Sequence, residues 1–223
     1  MILFAHRGAS GYEVENTLSS IKRAINMGAK AFEIDVQLTL DEKVVVYHDY
    51  SLGRIFPGKE KIMDLNYSDL YKISEGEIPT LEEVMSLIPA GSLLNIEIKA
   101  DISEKREIED YVFKIMNKFP EINILISSFE HDMLKRVFMK NKDVKIGVLF
   151  DDFPIDLKEY IKKLNIEIYS INPGIRKINL ENGKEIKKLG YKMYIYTVNT
   201  SEDYERALKL GADGIFTDYI DKF

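Results

Sequence analysis

Two hydrophobic patterns alternate along the chain. Short apolar runs rich in β-branched residues occur at Ile2–Ala5, Ala31–Leu38, Leu93–Ile98, Asn123–Ser127, Lys145–Phe150, Ile166–Ile171, Lys192–Val198 and Gly214–Phe216. Runs of this length bounded by turn residues predict buried strands. Between them, apolar residues recur at helical spacing over Thr17–Met27, Thr80–Ile88, Glu104–Lys118, His131–Lys140, Asp156–Leu164, Glu181–Leu189 and Ser201–Leu210. Helix boundaries carry their own signals. Thr80, just after Pro79, suits an N-cap, and Gly28, Gly190 and Gly211 each follow a helical run where a left-handed residue ends a helix.

Strand and helix in repeated alternation imply a parallel sheet. Eight such repeats in 223 residues predict an α/β fold, a (β/α)8 TIM barrel. Its last helix is expected to be vestigial or missing, because the chain stops at Asp221-Lys222-Phe223. A doubly wound open sheet is the fold-level alternative, but it would not gather the candidate residues below from the first, second, third and eighth strands. One segment breaks the repeat. A second apolar run, Lys43–Tyr47, leads into His48-Asp49, and residues 50–79 are polar and punctuated by Gly and Pro. A connection that long is usually functional. It is expected to be a short insertion, about 49–79, covering one end of the barrel within a single domain spanning 1–223.

Composition narrows the chemistry. Hydrophobic residues make up 45% of the chain, enough for a large core, and the net charge is −6. An acidic chain is poorly suited to general nucleic-acid binding, which relies on clustered Lys and Arg. With no cysteine, thiolate metal sites and disulfides are excluded. Any metal must then sit among carboxylates, imidazoles, carbonyls or water, which favours Mg²⁺, Ca²⁺ or Mn²⁺. No apolar run is long enough to span a membrane, and MILFAHRGAS lacks a signal peptide's basic start, so a cytoplasmic location is expected. Oligomeric state is not readable.

Four short stretches carry candidate chemistry. In Glu33-Ile-Asp35, residues two apart on a strand share a face, so both carboxylates point one way. Buried and unpaired, they would be very costly. Glu97-Ile-Lys99 repeats the arrangement on the next strand. Three carboxylates on neighbouring strands make a hard-oxygen site for Ca²⁺ or Mg²⁺. The plainer alternative is an internal salt-bridge network, which three acids and one base balance less well than a metal does. His6 and His48 end strands at the rim where barrel enzymes keep their sites, and imidazole suits proton transfer near neutral pH. The remaining histidine, His131, is expected to be structural. Arg7 and Lys99 add cations suited to phosphate oxygens. Phe129 and Tyr196 are either rim packing or an apolar wall for a substrate's carbon end.

Taken in order, His6-Arg-Gly with Glu15-Asn-Thr17, Glu33-Ile-Asp35, His48-Asp49, Glu97-Ile-Lys99, Ser128-Phe129, Thr197-Val-Asn199 and Gly214-Ile-Phe-Thr-Asp218 resemble the glycerophosphodiester phosphodiesterase family over nearly the whole chain. The resemblance implies a (β/α)8 barrel, one divalent cation, and a small-molecule glycerophosphodiester cut to sn-glycerol 3-phosphate and an alcohol. It also implies His6 and His48 as catalytic groups, Glu33, Asp35 and Glu97 as metal ligands, and Arg7, Lys99, Phe129 and Tyr196 around the substrate. His48 is preferred as base and His6 as acid. The nucleophile is water or the substrate's own glycerol hydroxyl. The chain departs from the family pattern at Val14, Tyr196 and Ile220, where the family carries Pro, Trp and Pro, and its insertion is short, with Leu52-Gly-Arg54 the recognisable trace. Two alternatives stand beside this reading: a lysophospholipase D acting on lipid-chain diesters, and a non-catalytic phosphate-binding barrel.

Overall fold

The alternation of strands and helices closes on itself in the computed structural model, which describes residues 1–99 and 106–223. The parallel strands are β1 (Ile2–His6), β2 (Ala31–Leu38), β4 (Leu93–Ile98), β5 (Asn123–Ser128), β6 (Lys145–Phe150), β7 (Ser170–Pro173), β8 (Lys192–Ile195) and β9 (Gly214–Thr217). β1 pairs with both β2 and β9, which closes the ring. β3 (Val44–Val46) lies antiparallel to β2, outside the ring. The helices are α1 (Leu18–Asn26), α2 (Tyr67–Ile73), α3 (Leu81–Met85), α4 (Ile108–Met116), α5 (His131–Lys140), α6 (Leu157–Leu164), α7 (Leu180–Lys188) and α8 (Ser201–Leu210).

Local signals set the helix ends. Thr17 and Thr80 each accept from the backbone N–H three residues on, and the side chains of Ser20 and Glu83 reach back to the cap N–H, forming two capping boxes. Gly211 ends α8 at φ 82°. Strand alternation divides the core. Ile34, Ile96, Ile126, Val148, Ile171, Ile195 and Ile215 belong to the apolar layer shared with the helices. Phe4, Ala31, Leu125, Tyr194 and Phe216 form a separate plug inside the ring, with the Phe4 ring 4.7 Å from Phe216 and 5.1 Å from Tyr194.

Several boundaries differ from expectation. β7 begins at Ser170, four residues later than the apolar run suggests, although Ile168 still packs in the layer shared with the helices. β8 ends at Ile195, and Tyr196 continues only as an isolated bridge to Gly174. Glu104 and Lys105, expected in a helix, lie outside the described residues; α4 starts at Ile108. After β9 a single 3-10 turn, Ile220–Lys222, stands where a last helix would follow. The segment after β3 is less polar in effect than its sequence suggests. It holds a 3-10 turn at Ile62–Asp64 and the unforeseen α2, and Leu52, Ile62, Leu70 and Ile78 pack with Val45 and Tyr47 into a satellite core. Its apolar residues are scattered among Gly, Pro and charged positions without a sustained period, so the sequence pattern does not predict α2.

Candidate active site

The site lies at the C-terminal ends of the barrel strands, where the inward side chains change from apolar to charged. His6 pairs in register with Glu33, and Asp35 with Glu97, so four of the candidate residues come from three adjacent strands. Gly8 allows the loop after β1 to fold tightly against α1. It sits at φ 83°, and a Cβ there would lie 2.4 Å from Ser20 Oγ. The turn aims the Arg7 backbone N–H at Glu33 Oε2, 2.9 Å away. Asn16 then braces the next carboxylate, donating from Nδ2 to Asp35 Oδ2 at 2.9 Å.

Glu33, Asp35 and Glu97 present carboxylate oxygens that all lie within 4.8 Å of one another. Glu33 and Asp35 are buried, and Glu33 Oε1 and Asp35 Oδ1 have no hydrogen-bond partner. Two orphaned anionic oxygens in a buried triad are the arrangement a hard divalent cation satisfies, and the donor set fits Ca²⁺, Mg²⁺ or Mn²⁺. The electrostatics point the same way. Burial, then the neighbouring Asp35 and Glu97 charges, pushes Glu33 well above the usual carboxylate range. Burial and Asp35 likewise push Glu97 up to about 7. Burial works against ionisation of Asp35 too, but Arg7, Lys99, His48 and Asn16 outweigh it and hold that carboxyl low.

Two cations line the triad. Arg7 Nε lies 3.3 Å from Asp35 Oδ2, and its Nη1 donates to Glu15 Oε1 at 2.7 Å. Lys99 Nζ donates to Glu97 Oε1 at 2.8 Å and stands 3.8 Å from Asp35 Oδ1. Burial alone would lower both pKa values; the surrounding carboxylates reverse that and keep both groups charged.

Each rim histidine is held on Nδ1 by an aspartate. His6 Nδ1 meets Asp218 Oδ1 at 2.7 Å, and Asp218 also accepts from Asn199 Nδ2 at 2.6 Å and Ser10 Oγ at 3.0 Å. His48 Nδ1 meets Asp49 Oδ1 at 2.7 Å. A carboxylate at Nδ1 fixes the proton there and leaves Nε2 as the working nitrogen. His6 Nε2 lies 3.9 Å from Glu33 Oε2, and His48 Nε2 lies 3.3 Å from Lys99 Nζ. Burial, with the Arg7 and Lys99 charges, lowers the His48 pKa below the ordinary imidazole value despite Asp35 and Asp49. Gln37, the next inward residue of β2, donates from Nε2 to the carbonyls of Tyr47 and Asp49 at 2.8 Å each, which pins the loop carrying His48.

These groups share a cavity of about 250 Å³, lined by His6, Arg7, Glu33, His48 and Glu97 together with Asn95, Phe129 and Tyr196. Lys99 Nζ stands 5.7 Å from the Phe129 ring centroid. The Phe129 and Tyr196 rings meet edge-on at 5.9 Å, and Tyr196 Oη donates to the Phe150 carbonyl at 2.8 Å. His131 is elsewhere: its two ring nitrogens are taken up by Tyr160 Oη and the Leu149 carbonyl. The candidates picked from sequence therefore meet at one place. Glu15, Asp49, Arg54, Asn95, Asn199 and Asp218 join them without having been assigned roles, although all but Asn95 stood inside the quoted stretches.

The sequence profile of the Glycerophosphoryl diester phosphodiesterase family matches residues 6–222. The chain belongs to that family. It is 36% identical over 229 residues to a glycerophosphodiester phosphodiesterase of Caldanaerobacter subterraneus subsp. tengcongensis, an alignment covering 97% of this chain and 93% of that protein. The crystal structure of a glycerophosphodiester phosphodiesterase from Thermotoga maritima superposes with a TM-score of 0.83 at 32% identity, covering 98% of this chain and 94% of that one. A phosphodiesterase from Oleispira antarctica, solved in complex with the product sn-glycerol-3-phosphate, superposes with a TM-score of 0.89 at 27% identity, covering 98% and 93%. Among the described residues no helix is long and apolar enough to cross a membrane.

Proposed function

We propose that residues 1–223 form one catalytic domain, with 49–79 as an insertion, that hydrolyses glycerophosphodiesters to sn-glycerol 3-phosphate and an alcohol. The observation that carries this reading is the carboxylate triad with two buried oxygens that lack hydrogen-bond partners, beside a cavity lined by Arg7 and two aspartate-oriented histidines, with Lys99 ion-paired to the triad. Glu33, Asp35 and Glu97 would hold one divalent cation, Ca²⁺, Mg²⁺ or Mn²⁺. When bound, such an ion supplies Lewis-acid polarisation of a phosphate oxygen.

The chain's own groups do the rest. Arg7 and Lys99 stabilise negative charge that grows on the phosphoryl oxygens in the transition state. His48, whose pKa is lowered by burial and nearby cations, is neutral near pH 7 and takes the proton from the attacking hydroxyl through Nε2. His6 delivers a proton to the leaving alcohol oxygen as the P–O bond breaks. Direct attack by water gives sn-glycerol 3-phosphate in one displacement; attack by the glycerol hydroxyl gives a cyclic phosphate that water then opens. Phe129 and Tyr196 wall the cavity against the carbon portion of the substrate.

Product analysis on glycerophosphocholine tests the reading. Release of sn-glycerol 3-phosphate and choline is expected. Release of phosphocholine and glycerol would place the scission at the other ester bond and contradict it. Turnover confined to lipid-chain diesters would favour lysophospholipase D chemistry instead.

A further inference from the structure

The proposed mechanism assigns nothing to Arg54, the residue that the insertion carries to the mouth of the barrel. Its three guanidinium nitrogens are all engaged. Nε donates to Asp49 Oδ2 at 2.6 Å, Nη2 to Glu15 Oε1 at 2.6 Å and Nη1 to Glu15 Oε2 at 3.0 Å. The two carboxylates it grips are the ones that hold reactive groups. Asp49 Oδ1 takes the His48 Nδ1 proton, and Glu15 Oε1 accepts from Arg7 Nη1. A continuous chain therefore runs Arg7, Glu15, Arg54, Asp49, His48, from the loop after β1 to the loop after β3.

We propose that Arg54 is a positioning residue: it clasps Glu15 and Asp49 together, and through them sets Arg7 and His48 in register across the cavity. The proposal deepens the phosphodiesterase reading and rests on it for its kinetic consequences. A purely stabilising role does not account for the arrangement. The Arg54 side chain is 47% exposed, and exposed ion pairs contribute little to folding. Geometry is what the site gains. A free Asp49 carboxylate could rotate away from His48, and a free Glu15 could pull Arg7 off the triad; the planar fork removes both freedoms at once. Lysine offers one point charge and no planar fork, so it cannot reproduce the three fixed hydrogen bonds that orient the two carboxylates. The inference also gives the short insertion a purpose: its satellite core braces the strand-like turn that presents Arg54.

The experiment compares wild type, Arg54→Ala and Arg54→Lys on glycerophosphocholine with saturating divalent cation. It is paired with ¹⁵N NMR of the His48 ring in each protein. Both variants are expected to fold, with Tm within about 2 °C of wild type. Arg54→Ala should lower kcat on the order of 10- to 100-fold, the usual consequence of misplacing a reacting group. Arg54→Lys should recover little of it, and added guanidinium ion should restore part of the Arg54→Ala loss. In an Asp49→Asn background the same Arg54→Ala change should cost less than half as much on a logarithmic scale, because the path to His48 is already cut. The His48 Nδ1 proton should exchange slowly in wild type and rapidly in Arg54→Ala. Turnover within twofold of wild type in Arg54→Ala, or an unchanged His48 Nδ1 signal, would overturn the clasp. If wild type itself cleaves no glycerophosphodiester, the phosphodiesterase reading fails, and the NMR comparison alone decides whether Arg54 orients His48.

Discussion

The two ends of the barrel interior share β1 and β2 and hold opposite chemistry. Phe4, Ala31, Leu125, Tyr194 and Phe216 form an apolar plug in one part of the ring. At the strand ends Glu33, Asp35, Glu97, His6 and Lys99 crowd into a charged mouth. On β2 the change happens within a few residues: the inward positions run Ala31, Glu33, Asp35, Gln37, while Phe32, Ile34, Val36 and Leu38 face the helices. Period-2 alternation decides which residues face inward and says nothing of what they must be. The plug is satisfied by its own contacts. The mouth is not, since Glu33 Oε1 and Asp35 Oδ1 are buried without a hydrogen-bond partner, Asp35 Oδ1 having only Lys99 Nζ at 3.8 Å. One end satisfies its own contacts, and the other leaves two buried carboxylate oxygens without a hydrogen-bond donor.

That contrast can be broken from either end. The largest effect is expected in the mouth. His6→Ala and His48→Ala should each lower kcat by roughly 10²- to 10⁴-fold with metal binding retained, as steady-state kinetics and a metal titration would show. Retained turnover in either variant would remove that histidine from the mechanism. In the plug, Phe4 is fully buried, and Phe4→Ala should destabilise the fold by about 3–5 kcal/mol in denaturant melts while the folded fraction keeps its kcat. A parallel loss of kcat in the folded fraction would mean that the two ends are not independent.

A pH experiment sharpens the comparison. Burial and the Asp35 charge hold Glu97 up to about 7 in the fold against 4.5 for a free glutamate, so its protonated form stabilises the metal-free protein below pH 4.5. That contribution is lost as the pH rises through 7, on the order of 3 kcal/mol at full extent. Thermal melts across this range should show the metal-free protein weakening and a divalent cation restoring it. A flat profile without metal would contradict the burial argument. The smallest effect lies away from both ends: Thr80→Ala should cost about 1 kcal/mol through its lost capping box, with activity unchanged.

Much of the architecture was legible in the order of apolar runs, because a parallel barrel strand is buried on both faces and declares itself as an unbroken hydrophobic stretch. The charged interruptions in such stretches, Glu33 and Asp35 in β2 and Glu97 in β4, were legible for the same reason: a carboxylate on a buried strand demands explanation. What stayed hidden lies on loops. Asp49 and Asp218 look like ordinary turn or rim acids until folding brings each to the Nδ1 of a histidine, 212 residues away along the chain in the case of Asp218. Arg54 had no periodic pattern around it, and α2 was missed because its apolar face is carried by Leu70 and little else that is fully buried. Contacts between distant loops have no local signature in the chain.

The central claim is that the mouth of the barrel is completed by a divalent cation on Glu33, Asp35 and Glu97. The most direct test is turnover of glycerophosphocholine by chelator-stripped protein, followed by sn-glycerol 3-phosphate release before and after adding back Ca²⁺, Mg²⁺ or Mn²⁺. The account predicts no turnover in the stripped protein, recovery with at least one ion, and no recovery in Glu97→Ala at the same ion concentration. Full turnover in the stripped protein, or recovery undiminished in Glu97→Ala, would contradict it.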